Sequence, residues 1–292
     1  MSIEISSKKE LAENAGTLYM VATPIGNLGD ISPRAVETLK SADLIAAEDT
    51  RHSQRLLSHL GISTRMQAYH EHNEEYQTGR LLARLQQGES IALISDAGTP
   101  LVSDPGYRLV EQAHQHGIRV VPIPGACAAI AAMSVAGLAS DRFSFEGFPP
   151  SRQAARLSYL QALKEESRTM IFYISCHRVL ATLMDMKTVF GEQRLATFAR
   201  EITKTYETIC KATLDELCLW VDSDAMQRKG EIVLVLAGSV QDKSAHPLRD
   251  EILAALVDEL PVKQAAKIAS RITGINKNEL YEAALKLKNN DD

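Results

Sequence analysis

The sequence predicts an α/β protein: a parallel-sheet N-terminal domain, a second α/β domain and a small C-terminal helical unit. Three patterns carry that prediction. Between Leu18 and Ile123, short apolar runs alternate with amphipathic stretches, the mark of a parallel sheet covered on both faces. From Phe143 to Ala237 a second series of strands and helices follows. Beyond Pro247 only helical periodicity remains.

Leu18–Ala22 reads as the first strand and Thr23–Asp30 as the loop leaving it. Ser32 and Pro33 open a helix, with serine at the cap and proline at the first helical position. Leu44–Ala47 is the second strand. The next helix carries Leu56, Leu57 and Leu60 on one face and stops at Gly61. Arg65–Tyr69 (strand), Glu74–Gln87 (helix), Ile91–Ile94 (strand), Tyr107–His116 (helix) and Ile118–Ile123 (strand) complete the first series. An Ala-rich helix is expected from Pro124 to Gly137. The second series starts at Phe143–Phe148; strands are expected at Thr169–Ile174, Leu195–Ala199, Thr205–Cys210 and Glu231–Ala237, with helices at Arg152–Glu165 and Arg178–Phe190. In the tail, Asp250–Leu260, a segment opened by Pro261, and Asn278–Lys288 are helical, with a break at Gly274. The predicted organisation is a flexible tail over residues 1–16, domains over 17–124 and 125–240, and a helix-turn-helix-like unit over 247–292.

Composition narrows the function. Of 292 residues, 45% are apolar and 24% charged, ordinary for a globular chain. A net charge of −5 argues against a uniformly basic nucleic-acid binder but leaves room for a local patch. Cys127, Cys176, Cys210 and Cys218 are widely spaced without a CxxC pair, so a reducing compartment is expected rather than a zinc site or a disulfide framework. No apolar run reaches ~18 residues, and residues 1–16 carry no apolar signal core, so neither a membrane span nor export is expected. The expected location is the cytoplasm, and no metal is expected.

The most informative stretch is Ser95–Gly106, directly after the apolar run Ile91–Ile94. Two glycines, two prolines and two aspartates sit where a parallel strand gives way to a helix. Ligands of open α/β sheets bind outside the carboxyl ends of strands. Gly98 and Gly106 permit close backbone approach, and Asp96 and Asp104 put carboxylates on that rim. The alternative is a well-formed turn that binds nothing. In the tail, Lys263, Lys267 and Arg271 are spaced by four and share a helix face, either following phosphates or simply facing solvent.

Five motifs occur in order: Thr23–Leu28, Ala47–Arg51, Ser95–Gly106, Arg200–Lys204 and Lys229–Leu234. Together they resemble the ribosomal RNA small subunit methyltransferase I family, whose fold is tetrapyrrole-methylase-like. The resemblance spans Leu18–Gly238 and, more loosely, the tail. It implies two α/β domains of that type, the second with a mixed sheet, and a homodimer. It further implies S-adenosylmethionine as cofactor, and 2′-O-methylation of a cytidine in the decoding region of 16S ribosomal RNA in the small subunit.

On that reading the cofactor is held by Gly26, by Asp96, Ala97, Gly98, Thr99 and Pro100, and by Pro124, Gly125 and Ala126. No G-x-G-x-x-G follows the first strand, which counts against a dinucleotide-type site. In-line methyl transfer needs the 2′-oxygen roughly 3 Å from the methyl carbon, and a base or cation beside a weakly acidic hydroxyl. Asp49, Arg51 and Glu201 are the catalytic candidates, among neighbours that include Glu48, His52 and Arg200. Asp49 has an alternative role as a helix cap. Arg51, Arg55, His177, Arg178, Lys204, Lys263, Lys267 and Arg271 are the expected RNA contacts. Ile174 stands where the family usually carries glutamate, which implies that this acid is dispensable or replaced by a neighbour. A tetrapyrrole C-methyltransferase and a non-catalytic RNA-assembly factor are the alternatives. The first loop, Thr23–Asp30, lacks the G-x-G-P-G-D pattern of the former, and the intact Asp96–Pro100 loop argues against the latter.

Overall fold

A computed structural model describes residues 15–239 and 249–289. The chain forms two compact units, one running to Lys164 and again from Arg168 to Ala237, the other comprising Glu165–Ser167 and the chain from Gly238. All but Ala15 and Gly16 of the expected flexible tail lies outside the described residues, as do residues 240–248 and 290–292.

The first unit contains two sheets. β1 (Thr17–Val21), α1 (Pro33–Ser41), β2 (Leu44–Ala47), α2 (Thr50–His59), β3 (Met66–Ala68), α3 (Glu74–Gln86), β4 (Ile91–Ile94), α4 (Tyr107–Gln115) and β5 (Arg119–Ile123) build the first. Its strand order is β3-β2-β4-β1-β5, all parallel. Alternate residues of its central strands enter opposite cores: Leu44, Ala46, Ile91 and Leu93 on one face, Ile45, Ala47, Ala92 and Ile94 on the other. That explains why these strands read as continuous apolar runs. Ser32 caps α1 by accepting from the Ala35 N–H at 3.1 Å, as the sequence predicts.

The connection leaving β1 runs toward β2 and that leaving β4 runs toward β5, so these two neighbours form the switch point of the sheet. There, crevices open at the carboxyl ends of strands. The two loops are tied across it, Thr23 N–H to Gly98 O at 2.9 Å and Gly98 N–H to Thr23 O at 3.1 Å.

α5 (Ala128–Val135), β6 (Phe143–Gly147), α6 (Gln153–Ala162), β7 (Thr169–Ile174), α7 (Val179–Phe190), β8 (Leu195–Arg200), β9 (Thr208–Thr213), α8 (Leu214–Ser223) and β10 (Ile232–Leu236) follow. Their sheet is mixed, in the order β6-β7-β10-β8-β9, with only β6 and β7 parallel. α6, α7 and α8 cover one face over Met170, Phe172, Phe198 and Leu234. α5 covers Ile171, Ala199, Val233 and Val235 on the other.

Three elements differ from expectation. β9 begins at Thr208 rather than Thr205, because residues 201–207 form the turn and pairing with β8 starts at Arg200 and Thr208. α5 begins at Ala128, because Pro124–Cys127 lie outside the helix and Cys127 is extended. α8 has no counterpart in the sequence reading, although Thr213 and Glu216 form a reciprocal capping box at its start.

The second unit contains α9 (Arg249–Glu259), α10 (Val262–Thr273) and α11 (Lys277–Asn289). Leu253, Ala266, Ala269, Ile275, Leu280 and Ala284 form its own core. Gly274, in the left-handed conformation, ends α10. Lys263, Lys267 and Arg271 all lie on the exposed side of α10. Among the described residues no helix is long and apolar enough to cross a membrane.

Candidate active site

A cavity of about 430 Å³ opens between loops of the two sheets of the first unit. The first sheet contributes Ile25, Glu48, Asp96–Thr99 and Val102–Asp104; the second contributes Cys127, Ala128, Phe148, Tyr173–Cys176 and Gly230–Val233. No lysine, arginine or histidine is among these lining residues, whereas Glu48, Asp96, Asp104 and Glu231 are.

The carboxylates press on one another. Burial, then the charge of Asp96, holds Glu48 above the usual carboxylate range. Burial, then the charge of Glu48, pushes Asp104 up to about 6, against the opposing effect of the Ser95 hydroxyl. Asp96 accepts the Asp49 N–H at 3.0 Å, which ties the end of β2 to the β4–α4 loop. Gly98 has φ +86°, and a Cβ there would stand 3.2 Å from Ile25 Cγ2 and 3.6 Å from Ala126 O. Thr99 Oγ1 donates to Ala126 O at 3.0 Å. Among the described residues, the non-glycine residues with positive φ are Leu101, Ser103, Glu201 and Thr203, all in two loops beside this cavity. Strain of this kind concentrates at functional sites.

The predicted cofactor residues divide. Asp96, Ala97, Gly98 and Thr99 line the cavity; Pro100 is buried behind them. Pro124, Gly125 and Ala126 lie outside the lining, and the next two residues, Cys127 and Ala128, reach it instead. Gly26 also lies outside the lining, packed so tightly on Lys204 that a Cβ would overlap the lysine side chain.

Asp49 caps α2, accepting from the Arg51 and His52 N–H groups at 2.8 and 3.3 Å, and these bonds hold its carboxyl below the usual range. Arg51 and Arg55 are exposed on α2, and His177 and Arg178 are exposed on a 3-10 turn directly after cavity-lining Cys176. Glu201 accepts Glu231 N–H at 2.9 Å and the Lys204 ammonium at 2.9 Å; Lys204 also reaches Glu231 at 3.0 Å. Burial works against charge on both Glu201 and Lys204, but these bonds prevail, lowering the acid and raising the amine. Lys204 therefore joins the first loop to the Gly230–Glu231 wall.

Ile174 is among the lining residues, but it is buried and packs with Met170 and Phe172 in the core under α6, α7 and α8. Sequence reasoning missed Phe148, Tyr173 and the Gly230–Val233 segment as cavity residues. Phe148 carried no local signal, Tyr173 adjoins Ile174 in a segment read only for its missing glutamate, and Gly230–Val233 fell inside a recognised motif. Among the described residues no group of three or more His, Cys, Asp or Glu side chains is arranged to hold a metal ion.

The paired sheets and their cleft match a known architecture. The family model described as Tetrapyrrole (Corrin/Porphyrin) Methylases matches residues 17–218, and one described as RsmI C-terminal HTH domain matches 249–288. The solved uroporphyrin-III-C-methyltransferase of Thermus thermophilus superposes with a TM-score of 0.55 at 18% identity, covering 76% of this chain and 94% of that one, a likeness of fold. Ribosomal RNA small subunit methyltransferase I of Pseudomonas aeruginosa is 56% identical over 93% of this chain and 98% of its own length. Its Escherichia coli O157:H7 counterpart is 54% identical over 94% and 96%. The chain belongs to the tetrapyrrole methylases and, within them, to the ribosomal RNA small subunit methyltransferase I family.

Proposed function

We propose that this protein methylates small-subunit ribosomal RNA with S-adenosylmethionine, at the ribose 2′-oxygen of a cytidine in the decoding region of 16S RNA. The observation that carries the cofactor assignment is the acidic cavity with no lysine, arginine or histidine in its lining. Half-buried like charges repel, and a ligand carrying a sulfonium and an ammonium relieves that repulsion. The bound cofactor supplies the methyl group.

The chain's own residues do the rest. The loop Asp96–Thr99 offers close backbone, with Gly98 leaving space that a side chain would fill. A proton acceptor is needed for the hydroxyl. Asp104 fits that role, because it lines the cavity and is held at about 6, near the working range of a general base. Asp49 and Glu201 fit it less well, since bonds to one oxygen of each, from two α2 amides and from Glu231 N–H and Lys204, lower their carboxyl pKa away from the range of a general base. Arg51, Arg55, His177 and Arg178 are proposed as contacts to RNA phosphate, with Lys263, Lys267 and Arg271 adding a second contact surface.

A homodimer is proposed as well. α5 is apolar apart from Ser134, yet Ile130 and Val135 are each 52% exposed, a surface that a second copy of the chain would cover. A tetrapyrrole substrate is less well supported, because the likeness to those enzymes is one of fold and the tail matches a helix-turn-helix unit. The cytoplasm is the proposed location.

The test is transfer of label from S-adenosylmethionine to small subunits lacking native ribose methylation, followed by alkaline-cleavage mapping. A single protected cytidine in the decoding region is the expected result. Label without protection would place the methyl on a base, and absence of label despite cofactor binding would redirect the search to tetrapyrroles.

A further inference from the structure

Phe148 is 57% exposed, although it lines the cavity. A large apolar side chain left open to water on a mobile loop would need no explanation; this loop is fixed. Pro149 is buried. Arg156, itself 3% exposed, donates to Pro150 O at 3.3 Å and Ser151 O at 3.1 Å while paired with Asp185 at 2.6 Å. Gln153 holds the other oxygen of Asp185 at 2.9 Å, and the Tyr159 hydroxyl donates to Glu146 O at 3.0 Å. The backbone is thus held on both sides of Phe148.

Its ring lies edge-on to Tyr173, centroids 5.5 Å apart, and Tyr173 packs edge-on against Phe145 at 5.0 Å. The Phe148 ring is thus held against Tyr173 while more than half of the residue stays open to solvent. We propose that Phe148 is a stacking platform for an unstacked nucleobase of the RNA substrate, at the mouth of the methyl-transfer cavity. This rests on the proposed ribose methylation. A ribose hydroxyl that enters the cavity leaves a base one glycosidic bond away, and that base loses its neighbours in the RNA stack. Single-stranded RNA is recognised by stacking such bases on fixed aromatic rings, and the contact tolerates any base because every base has a π-face.

The probe is a short single-stranded RNA carrying one 2-aminopurine, titrated into the full-length protein. Stacking quenches its fluorescence. Wild type should quench saturably. Phe148→Ala should lose the quench and bind the RNA about tenfold more weakly, and Phe148→Trp should restore both. S-Adenosylmethionine affinity by calorimetry should fall less than RNA affinity, because the base and not the cofactor is the ring's main partner. Unchanged RNA binding and quenching by Phe148→Ala overturns the proposal, as does the absence of a quench with wild type. Equal loss of cofactor affinity would assign the ring to the cofactor, and dissociation of a dimer in sedimentation would assign it to a subunit interface; either overturns the proposal. A quench that depends on Phe148 in a protein that methylates no ribosomal RNA would leave the platform standing and remove the proposed reaction.

Discussion

The two walls of the cavity are built from different chemistry. The wall from the first sheet is charged and tight: Glu48 on the loop after β2, and Asp96 and Asp104 on the β4–α4 loop, the two loops tied by the Asp49 N–H to Asp96 bond. The wall from the second sheet is mostly apolar and aromatic, with Tyr173, Ile174, Val233 and the open Phe148. A parallel sheet gathers loops at one end, where carboxylates and free backbone accumulate beside the switch point. The mixed sheet instead presents strand ends and an edge-strand loop, which suit a flat surface. One wall fits a compact cation, the other a flat partner. Lys204, bonded to Glu201 and Glu231 and packed on Gly26, spans the two.

The strongest way to break this contrast is to fill the tight wall. Gly98→Val places a β-branched side chain at φ +86° against Ile25 and should abolish cofactor binding. Calorimetry checks it, and undiminished binding would remove this loop from the site.

Next comes its charge. Asp104→Asn should lower kcat by about 10²-fold or more. Wild-type kcat/KM should rise with pH around a midpoint of about 6 as Asp104 ionises, and the Asn variant should lose that limb. The same shift has a stability consequence of determined sign. The folded pKa, about 6, lies above the ordinary 3.8, so the folded state favours the protonated acid. Ionisation therefore destabilises the ligand-free fold fully above pH ~6 and not at all below about 3.8. Asp104→Asn should raise the melting temperature at pH 8 and leave it nearly unchanged at pH 4; an equal shift at both would show that the carboxylate is not strained by its neighbours.

Removing the link between the walls should cost less. Lys204→Met unties Glu201 and Glu231 from the Gly26 loop, and this loss of wall geometry should weaken cofactor binding about tenfold despite the added negative charge, with Lys204→Arg recovering part of it. Identical affinities for all three proteins would make Lys204 a surface residue without influence on the cavity.

The smallest effect is expected from the tail. Replacing Lys263, Lys267 and Arg271 together by Gln should weaken RNA binding severalfold at low salt and reduce its salt slope by about 2, with cofactor affinity unchanged. An unaltered slope would mean that α10 does not meet phosphate.

Much of this architecture was already present in local sequence. Leu44–Ala47 and Ile91–Ile94 are buried on both faces, and such strands have no polar alternation to confuse them with surface segments. Ser32-Pro33 fixed a helix start through chemistry that needs no tertiary partner. β9 was misplaced because its start depends on pairing with β8, and α8 was missed although its capping box is local.

By itself the sequence determined the two α/β halves, the helical tail and the loop Asp96–Thr99 as a place of close backbone. Strand periodicity, capping and glycine chemistry act over a few residues, so they are legible without coordinates. Only the tertiary structure brought Glu48 and Asp104 to the same cavity, engaged Glu201 with Lys204, moved the second wall from Pro124–Ala126 to Cys127 and Ala128, and left Phe148 exposed on a fixed loop. Charge repulsion, burial and exposure depend on which groups meet across long sequence separations, and those meetings are decided by the packing of the two sheets.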